Sequence, residues 1–226
     1  MEYIDQLISE FENNANSKIA VAQKAYMKNR FEFYGIPAPL RKELQKPFLV
    51  KKYLPSKEDL TPIVKSLWLR PQRELQYFSQ ELVFKFKNEF EAADIDLFEW
   101  MITRKSWWDT VDFLAAKCVG EEFKKYPELR EPYVTKWVAS GNIWLQRTAI
   151  LFQLNYKEEV DKALLTYVIR SSLGSKEFFI NKAIGWMLRN YSRVNPEWVL
   201  DFVEKTSLSN LSQREALRLI LKKDYL

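Results

Sequence analysis

The chain has 226 residues and a hydrophobic content of 47%, enough to bury the core of one large domain or two small ones. It has no histidine and one cysteine, Cys118, so histidine-based catalytic triads, histidine-ligated metals, internal disulfides and cysteine-rich zinc sites are excluded. The net charge of +5 makes contact with a polyanion plausible, although many helical proteins carry such a charge without binding one.

The remaining composition narrows the chemistry further. Only 5 glycines are present, and no glycine-rich phosphate-binding motif occurs. We therefore expect no cofactor and no metal, and we expect Cys118 to be a small buried hydrophobe. No apolar run reaches the length of a membrane span, and the acidic start of the chain is unlike a signal peptide, so we expect a cytoplasmic protein. Any chemistry must rest on carboxylates, arginine, lysine, tyrosine and tryptophan.

The hydrophobic pattern predicts helices along almost the whole chain. Ser17 and Ser56 are predicted N-caps, and Gly120 is predicted to end a helix. No low-complexity linker interrupts the series, so we expect one domain over residues 1–226. The other predicted helices are 18–28, 39–48, 72–86, 95–103, 107–119, 129–139, 143–154, 160–173, 178–191, 198–206 and 213–222.

A two-residue pattern, an amide residue followed by a basic residue, recurs near the start of several of these helices. Arg73, Arg147 and Arg214 each follow a glutamine, and Lys182 follows an asparagine in the matching place. Arg147 and Lys182 are 35 residues apart, and Arg73 and Arg147 are 74 apart, about two periods. Helix pairs that repeat every ~35–45 residues are typical of HEAT-like solenoids, although so short a pair can also recur by chance. The sequence thus predicts an all-α solenoid of HEAT-like helix pairs with a concave surface.

The most informative segment is SWWDTVD, residues 106–112. On a helix, Trp108 and Asp112 lie on one face, one turn apart, which places an aromatic ring beside a carboxylate. Such a pair suits a cationic target, but it also suits a core tryptophan beside a surface aspartate. Arg147 and Trp186 follow Asp112 at 35 and 39 residues, so the repeat would bring them to the same face.

This pattern resembles the AlkD-like family of alkylpurine DNA glycosylases. The resemblance is carried by residues 106–112, by the WLQR segment 144–147, by the AIGWMLR segment 183–189 and by the N-terminal residues 25–41, and it covers essentially the whole chain. It implies an all-α, right-handed-type solenoid of HEAT-like repeats that cradles duplex DNA in a concave basic face. It also implies hydrolysis of the N-glycosidic bond of cationic lesions such as N7-alkylguanine and N3-alkyladenine, without a deep pocket for a flipped base.

The resemblance also implies roles for individual residues. Asp112 is the catalytic carboxylate, Trp108 and Trp186 embrace the sugar and backbone of the damaged nucleotide, and Arg147 binds a nearby phosphate. Trp107 and Trp144 are assigned to packing. The expected partner is double-stranded DNA that contains alkylated purines, bound by a monomer associated with the nucleoid. The further candidates for DNA binding are Tyr26, Lys28, Arg41, Lys105, Lys182 and Arg189.

The residues fit this chemistry independently of the resemblance. An alkylated purine already carries a positive charge, so it leaves without a general acid and needs no histidine. An ionised Asp112 would stabilise the positive charge that develops on the sugar, as in glycoside hydrolysis. We expect a monofunctional glycosylase without lyase activity, since no lysine stands out as a Schiff-base nucleophile.

Several alternatives stay open. Arg147 could form a salt bridge within the scaffold, Trp186 could belong to the core, and Asp112 could merely stabilise its helix. The whole protein could be a non-catalytic paralogue that binds branched or distorted DNA, or a HEAT-like scaffold for protein interactions.

Overall fold

The computed structural model describes residues 2–223, and it is all-helical as the sequence predicts. Its only extended pairing among these residues is an isolated bridge between Glu32 and Gln72. In the described part of the chain, no helix is long and apolar enough to cross a membrane. Two compact units are present, Met1–Glu89 and Phe90–Leu226, and each is described by itself.

The first unit contains five α-helices. Asn16, rather than the predicted Ser17, caps the second helix, because its side chain accepts hydrogen bonds from the N–H groups of Lys18 and Ile19. Ser56 caps the fourth as predicted, by accepting from the N–H of Asp59. The helices are α1 (Glu2–Asn13), α2 (Ser17–Tyr26), α3 (Ala38–Gln45), α4 (Lys57–Trp68) and α5 (Arg73–Lys85). Short 3₁₀ turns cover Lys46–Leu49, Lys51–Tyr53 and Lys87–Glu89.

The second unit holds the candidate site. Its α-helices are α6 (Asp94–Ile102), α7 (Trp108–Phe113), α8 (Gly120–Lys125), α9 (Arg130–Ala139), α10 (Ile143–Leu151), α11 (Lys162–Ser171), α12 (Phe178–Tyr191), α13 (Pro196–Glu204), α14 (Asn210–Leu217) and α15 (Ile220–Lys223). A π-helical segment, Leu114–Val119, joins α7 to α8, and 3₁₀ turns cover Pro127–Leu129 and Lys157–Glu159.

Side chains in this unit contact residues about one repeat away along the chain. The Tyr156 hydroxyl donates to the Gly120 carbonyl 36 residues earlier, and Lys182 pairs with Glu215 33 residues later. Asn190 likewise donates to the carbonyl of Leu154, at a separation of 36 residues. These separations match the predicted period, and they show that successive helix pairs stack in register, as in HEAT-like repeats.

Helix α10 packs against both helices that carry the candidate tryptophans. It contacts α7, which carries Trp108, and α12, which carries Trp186. Asn142 caps it, by accepting from the N–H groups of Trp144 and Leu145. Leu145, Ile150 and Leu151 are buried and anchor α10 in the core. Burial of such aliphatic side chains stabilises the fold by roughly 1.5–3 kcal/mol each, which fixes the helix that carries Arg147.

One prediction about the helix around residue 112 is wrong. The predicted helical stretch 107–119 is present over 108–119, as an α-helix, Trp108–Phe113, followed by a π-helix, Leu114–Val119. Gly120, however, does not end the helix but begins α8. A Cβ at Gly120 would lie 2.8 Å from the carbonyl oxygen of Phe152, so this glycine serves the close approach of backbone from the next repeat.

Candidate active site

The site begins on α7. Trp107, in extended conformation, precedes the helix, and Trp108 is its first residue. Trp108 and Asp112 both lie within the α-helical stretch, so they share a face one turn apart, as the sequence predicts. Both are partly exposed, whereas Thr110 and Val111 between them are buried. Because Thr110 and Val111 face the core, the face of α7 that carries Trp108 and Asp112 points away from it.

Asp112 and Arg147 form a bidentate ion pair between α7 and α10. Arg147 Nε donates to Asp112 Oδ1 at 2.7 Å, and Arg147 Nη2 donates to Oδ2 at 2.9 Å. Nη1 donates to the backbone carbonyl of Phe179, at the start of α12. Only 4% of the Arg147 side chain is exposed, against 16% of the Asp112 side chain. A guanidinium matched to a carboxylate in this way fixes the orientation of both groups.

Opposing influences act on the ionisation of Asp112. Burial raises the pKa of its carboxyl, and the charge of Asp109 adds a smaller increase. The hydrogen bonds and positive charge of Arg147 lower the pKa of the same carboxyl. The balance leaves the pKa of Asp112 above the ordinary value of an aspartate. Arg147 therefore favours the ionised form of this carboxyl and opposes the effect of burial.

A cluster of aromatic rings packs beside this ion pair. The rings of Trp107, Trp144 and Phe179 contact one another with centroids 5.0–5.5 Å apart. Trp107 is 9% exposed, so its assignment to packing is confirmed. The Arg147 guanidinium carbon lies 5.9 Å from the centre of the Phe179 ring. This cluster joins α7, α10 and α12 beside the guanidinium, and it limits the movement of the ion pair.

Trp186 lies on α12 between two basic residues. Lys182 and Arg189 are four residues before and three residues after it, so all three share one face of the helix. Trp186 is partly exposed, which places it outside the fully buried core. Helix α12 packs on α10, the helix that carries Arg147. Trp186 and Arg147 therefore lie on neighbouring helices.

Glu215 of α14 contacts both of these basic residues. Its Oε1 lies 2.6 Å from Lys182 Nζ, and its Oε2 lies 2.5 Å from Arg189 Nη1. The hydrogen bond from Lys182 lowers the pKa of the Glu215 carboxyl, against the opposing effect of burial. A Cβ on Gly185 would lie 2.5 Å from the Glu215 Cβ, so glycine is what lets α14 approach α12 this closely. The pair Lys182 and Arg189 is thus held in place, and half of its positive charge is neutralised.

The other predicted DNA-binding residues differ in what surrounds them. Tyr26 and Lys28 are exposed in the first unit, at and just beyond the end of α2. Arg41 is buried there, and its Nη1 donates to Gln45 at 2.7 Å and to Glu81 at 3.1 Å, so its guanidinium is committed to the scaffold. Lys105 is partly exposed in a left-handed backbone conformation just before α7.

Two further residues belong to the site and were not predicted from the sequence. Phe179 supplies a carbonyl and a ring to Arg147, and Glu215 holds the basic pair beside Trp186. Phe179 could have been found from its repeat position, 32 residues after Arg147. Nothing in the local sequence marks Glu215. No group of three or more potential metal ligands occurs among residues 2–223.

Comparison with known proteins places the chain in a family. The model of the family described as "DNA alkylation repair enzyme" matches residues 7–220. This chain belongs to that family. A solved structure described as a predicted DNA alkylation repair enzyme from Enterococcus faecalis is 33% identical over 92% of this chain and 97% of its own, with a TM-score of 0.86. Among curated proteins, none matches significantly.

Membership of the DNA alkylation repair family confirms the resemblance stated from the sequence. A role in DNA repair, with DNA as the partner, follows from it. The family match spans both compact units of the chain. The Asp112–Arg147 ion pair with Trp108 one turn before it therefore lies inside the matched region.

Proposed function

We propose that the chain is a monofunctional DNA glycosylase that hydrolyses the N-glycosidic bond of cationic alkylated purines in duplex DNA. The observation that carries this proposal is the buried, bidentate ion pair between Asp112 and Arg147, with Trp108 on the same face of α7. A desolvated carboxylate held ionised by an arginine suits the stabilisation of a sugar cation. It does not suit a proton donor.

The chemistry requires little of the protein because the substrate is already activated. Alkylation at N7 of guanine or N3 of adenine makes the base a cation. When the bond between C1′ and the base nitrogen breaks, its electron pair returns to the base, which leaves neutral. Positive charge then develops on the deoxyribose, as in glycoside hydrolysis. Water adds to C1′ and loses a proton, which leaves an abasic site and the free base.

Asp112 stabilises this sugar cation electrostatically. Its low exposure matters because water would screen the charge of an exposed carboxylate. Asp112 also orients the attacking water and accepts its proton. The indole faces of Trp108 and Trp186 attract positive charge and exclude bulk water around the sugar. No step in this scheme needs histidine, metal or thiol.

The structure changes the role that we propose for Arg147. The sequence resemblance implies a phosphate contact, yet three of its nitrogens already donate to Asp112 and Phe179. We therefore assign to Arg147 first the orientation and ionisation of Asp112. Any phosphate contact by Arg147 must use its remaining N–H groups. This dual use makes Arg147 a link between the position of the DNA backbone and the catalytic carboxylate.

Lys182 and Arg189 are the better candidates for phosphate contacts. They flank Trp186 on α12, and Glu215 fixes their positions while leaving the group of three with one net positive charge. Tyr26, Lys28 and Lys105 remain proposed DNA contacts. Arg41 is left out of the interface because its guanidinium is buried in an ion pair. Binding through phosphates predicts little sequence preference and strong salt dependence.

An excision assay tests the proposal directly. Duplex DNA that contains N7-methylguanine is incubated with excess protein, and abasic sites are measured against the spontaneous rate. We expect base release well above that rate, and no DNA adduct after borohydride treatment, since no lysine acts as a nucleophile. Release at only the spontaneous rate, with preferential binding of branched DNA, would favour the non-catalytic paralogue instead. An adduct trapped by borohydride would contradict the absence of lyase activity.

A further inference from the structure

The helix that carries Asp112 changes its type immediately after the site. Gly120 N–H, which an α-helix would direct to the Ala116 carbonyl, donates to the carbonyls of Ala115 and Lys117 instead. The bond to Ala115 spans five residues and defines the π-helical turn. Such turns occur mostly as single insertions in α-helices and are frequent at functional sites. The segment is well packed, since Leu114 and Cys118 are completely buried.

The π turn changes which residues share a face of the helix. Asp112 and Gly120 are eight residues apart, so an uninterrupted α-helix would place them roughly 80° apart around its axis. One residue absorbed by the π turn reduces the difference to seven steps, roughly 20°. Both residues meet α10: Asp112 at Arg147, and Gly120 at the carbonyl of Phe152, which ends that helix. The π turn therefore allows both contacts with α10 to form together.

Two side chains just after α10 hold this turn. Asn155 Nδ2 donates to the Ala116 carbonyl, the acceptor that the Gly120 N–H leaves aside, at 2.9 Å. The Tyr156 hydroxyl donates to the Gly120 carbonyl at 2.7 Å. Tyr156 is 3% exposed, and burial raises the pKa of its phenol, so the hydroxyl keeps its proton and remains a donor. Two carbonyls of the turn, those of Ala116 and Gly120, thus accept hydrogen bonds from side chains of the following repeat.

We propose that Asn155 and Tyr156 are positioning residues for Asp112, which hold the π turn open and so aim the carboxylate at Arg147. They act through the backbone of residues 114–120, and they touch neither the ion pair nor the proposed substrate. Without them the turn relaxes toward α-helical hydrogen bonding, and α7 rotates relative to α10. The catalytic consequence rests on the proposed function, but the effect on the Asp112–Arg147 pair does not.

The first measurement therefore requires no enzyme activity. The Asp112 carboxyl is titrated by carbon-13 NMR in the full chain, with Asp112→Asn to assign its signal. We compare wild type with Asn155→Ala and Tyr156→Phe. In both variants we expect the titration midpoint of Asp112 to move to higher pH, because the carboxylate loses alignment with Arg147 while burial and the charge of Asp109 persist.

A matched control is Tyr133→Phe. It makes the same chemical change at a tyrosine whose hydroxyl donates to Asp96 at 3.0 Å rather than to a carbonyl of the π turn, and it should leave the midpoint unchanged. Asn155 is exposed, so Asn155→Ala should fold normally even if Tyr156→Phe does not. An unchanged Asp112 midpoint in a folded Asn155→Ala variant would overturn the proposal. So would an equal shift in Tyr133→Phe.

The second measurement is excision under single-turnover conditions. Loss of one hydrogen bond should lower the rate about fivefold to tenfold in each variant, with DNA affinity within about twofold of wild type. An equal loss of rate and affinity would contradict a positioning role. If wild type itself releases no base, the proposed function fails, while the NMR titration still decides whether Asn155 and Tyr156 orient Asp112.

Discussion

Replacement of Asp112 by asparagine is the sharpest test of the site, because it removes one charge with little change in shape. A carboxylate about 4 Å from a developing cation contributes about 4 kcal/mol at an effective dielectric constant of 20. This energy corresponds to a rate loss of about 10³-fold. The low exposure of Asp112, 16% of its side chain, supports such a dielectric constant rather than that of water.

The positive charge of Arg147 affects the loss of excision rate in this variant. In wild type its positive charge lies beside the carboxylate oxygens, at 2.7 and 2.9 Å, and partly opposes their attraction for the sugar cation. The variant keeps the charge of Arg147 while the attraction disappears. The opposing repulsion is then uncompensated, so the rate should fall by the full amount. DNA binding should change little, since Asp112 contributes no positive charge to it.

The same variant should also lose stability. An asparagine offers one oxygen to a guanidinium that is 4% exposed, so part of a buried charge loses its partner. Breaking a buried ion pair in this way costs about 3–5 kcal/mol. The double variant Asp112→Asn with Arg147→Gln removes both charges and should recover part of this stability. Its excision rate should stay well below that of wild type, but above that of Asp112→Asn alone, because the repulsion between Arg147 and the sugar cation is also removed.

The assay is single-turnover release of N7-methylguanine from duplex DNA, at a temperature well below the melting point of each variant. Fluorescence anisotropy gives DNA affinity, and thermal denaturation gives stability. Asp109→Asn is the matched control, since it removes a neighbouring carboxylate on the same helix and should leave the rate nearly unchanged. A folded Asp112→Asn protein that releases base within about threefold of wild type would refute the electrostatic argument.

Three further predictions concern ionisation and packing. Excision should fall at acidic pH with a midpoint above that of an ordinary aspartate, about 3.9, because burial raises the pKa of Asp112; a pH profile of the single-turnover rate checks this. Glu215→Gln should lower the melting temperature at neutral pH. The difference should shrink as the pH falls below the ordinary value of a glutamate, about 4.3, and should vanish only at the lower pH where folded Glu215 is protonated, because Lys182 and Arg189 hold its pKa below that value; melting curves at several pH values test it. Gly185→Ala should destabilise the protein by about 1–3 kcal/mol in urea denaturation, because the new methyl group would overlap Glu215.

The positions of most helices followed from local sequence. The apolar pattern gave α5 and α12 to within a residue at each end, because a strong 3.6-residue period and clear end signals coincide there. The repeat spacing also predicted that Asp112 and Arg147 lie on the same side of successive repeats, and the structure joins them in an ion pair. The π turn after Asp112 could not be predicted, since nothing in the composition of residues 114–119 marks it and its carbonyls accept hydrogen bonds from side chains of the next repeat.

Of the properties considered, the burial of charged residues was the one that the sequence predicted least well. Arg41 and Lys28 were both predicted from the sequence to bind DNA, yet Arg41 is buried against Glu81 and Lys28 is exposed. Lys182 and Arg189 are bound by a carboxylate more than 25 residues away. Which basic residues remain available to DNA thus depends on contacts between helices, and a single sequence does not encode these locally.

The sequence alone determined the helical class, the repeat period, the carboxylate and tryptophan that share a face of α7, and a chemistry without histidine or thiol. It did so because these properties depend on composition and on spacing along one helix. Only the tertiary structure decided that Arg147 is the buried partner of Asp112, that Phe179 and Glu215 belong to the site, and that the helix after Asp112 changes to a π turn. These features arise where side chains from different repeats pack against one another, and their geometry is fixed only when the helices stack.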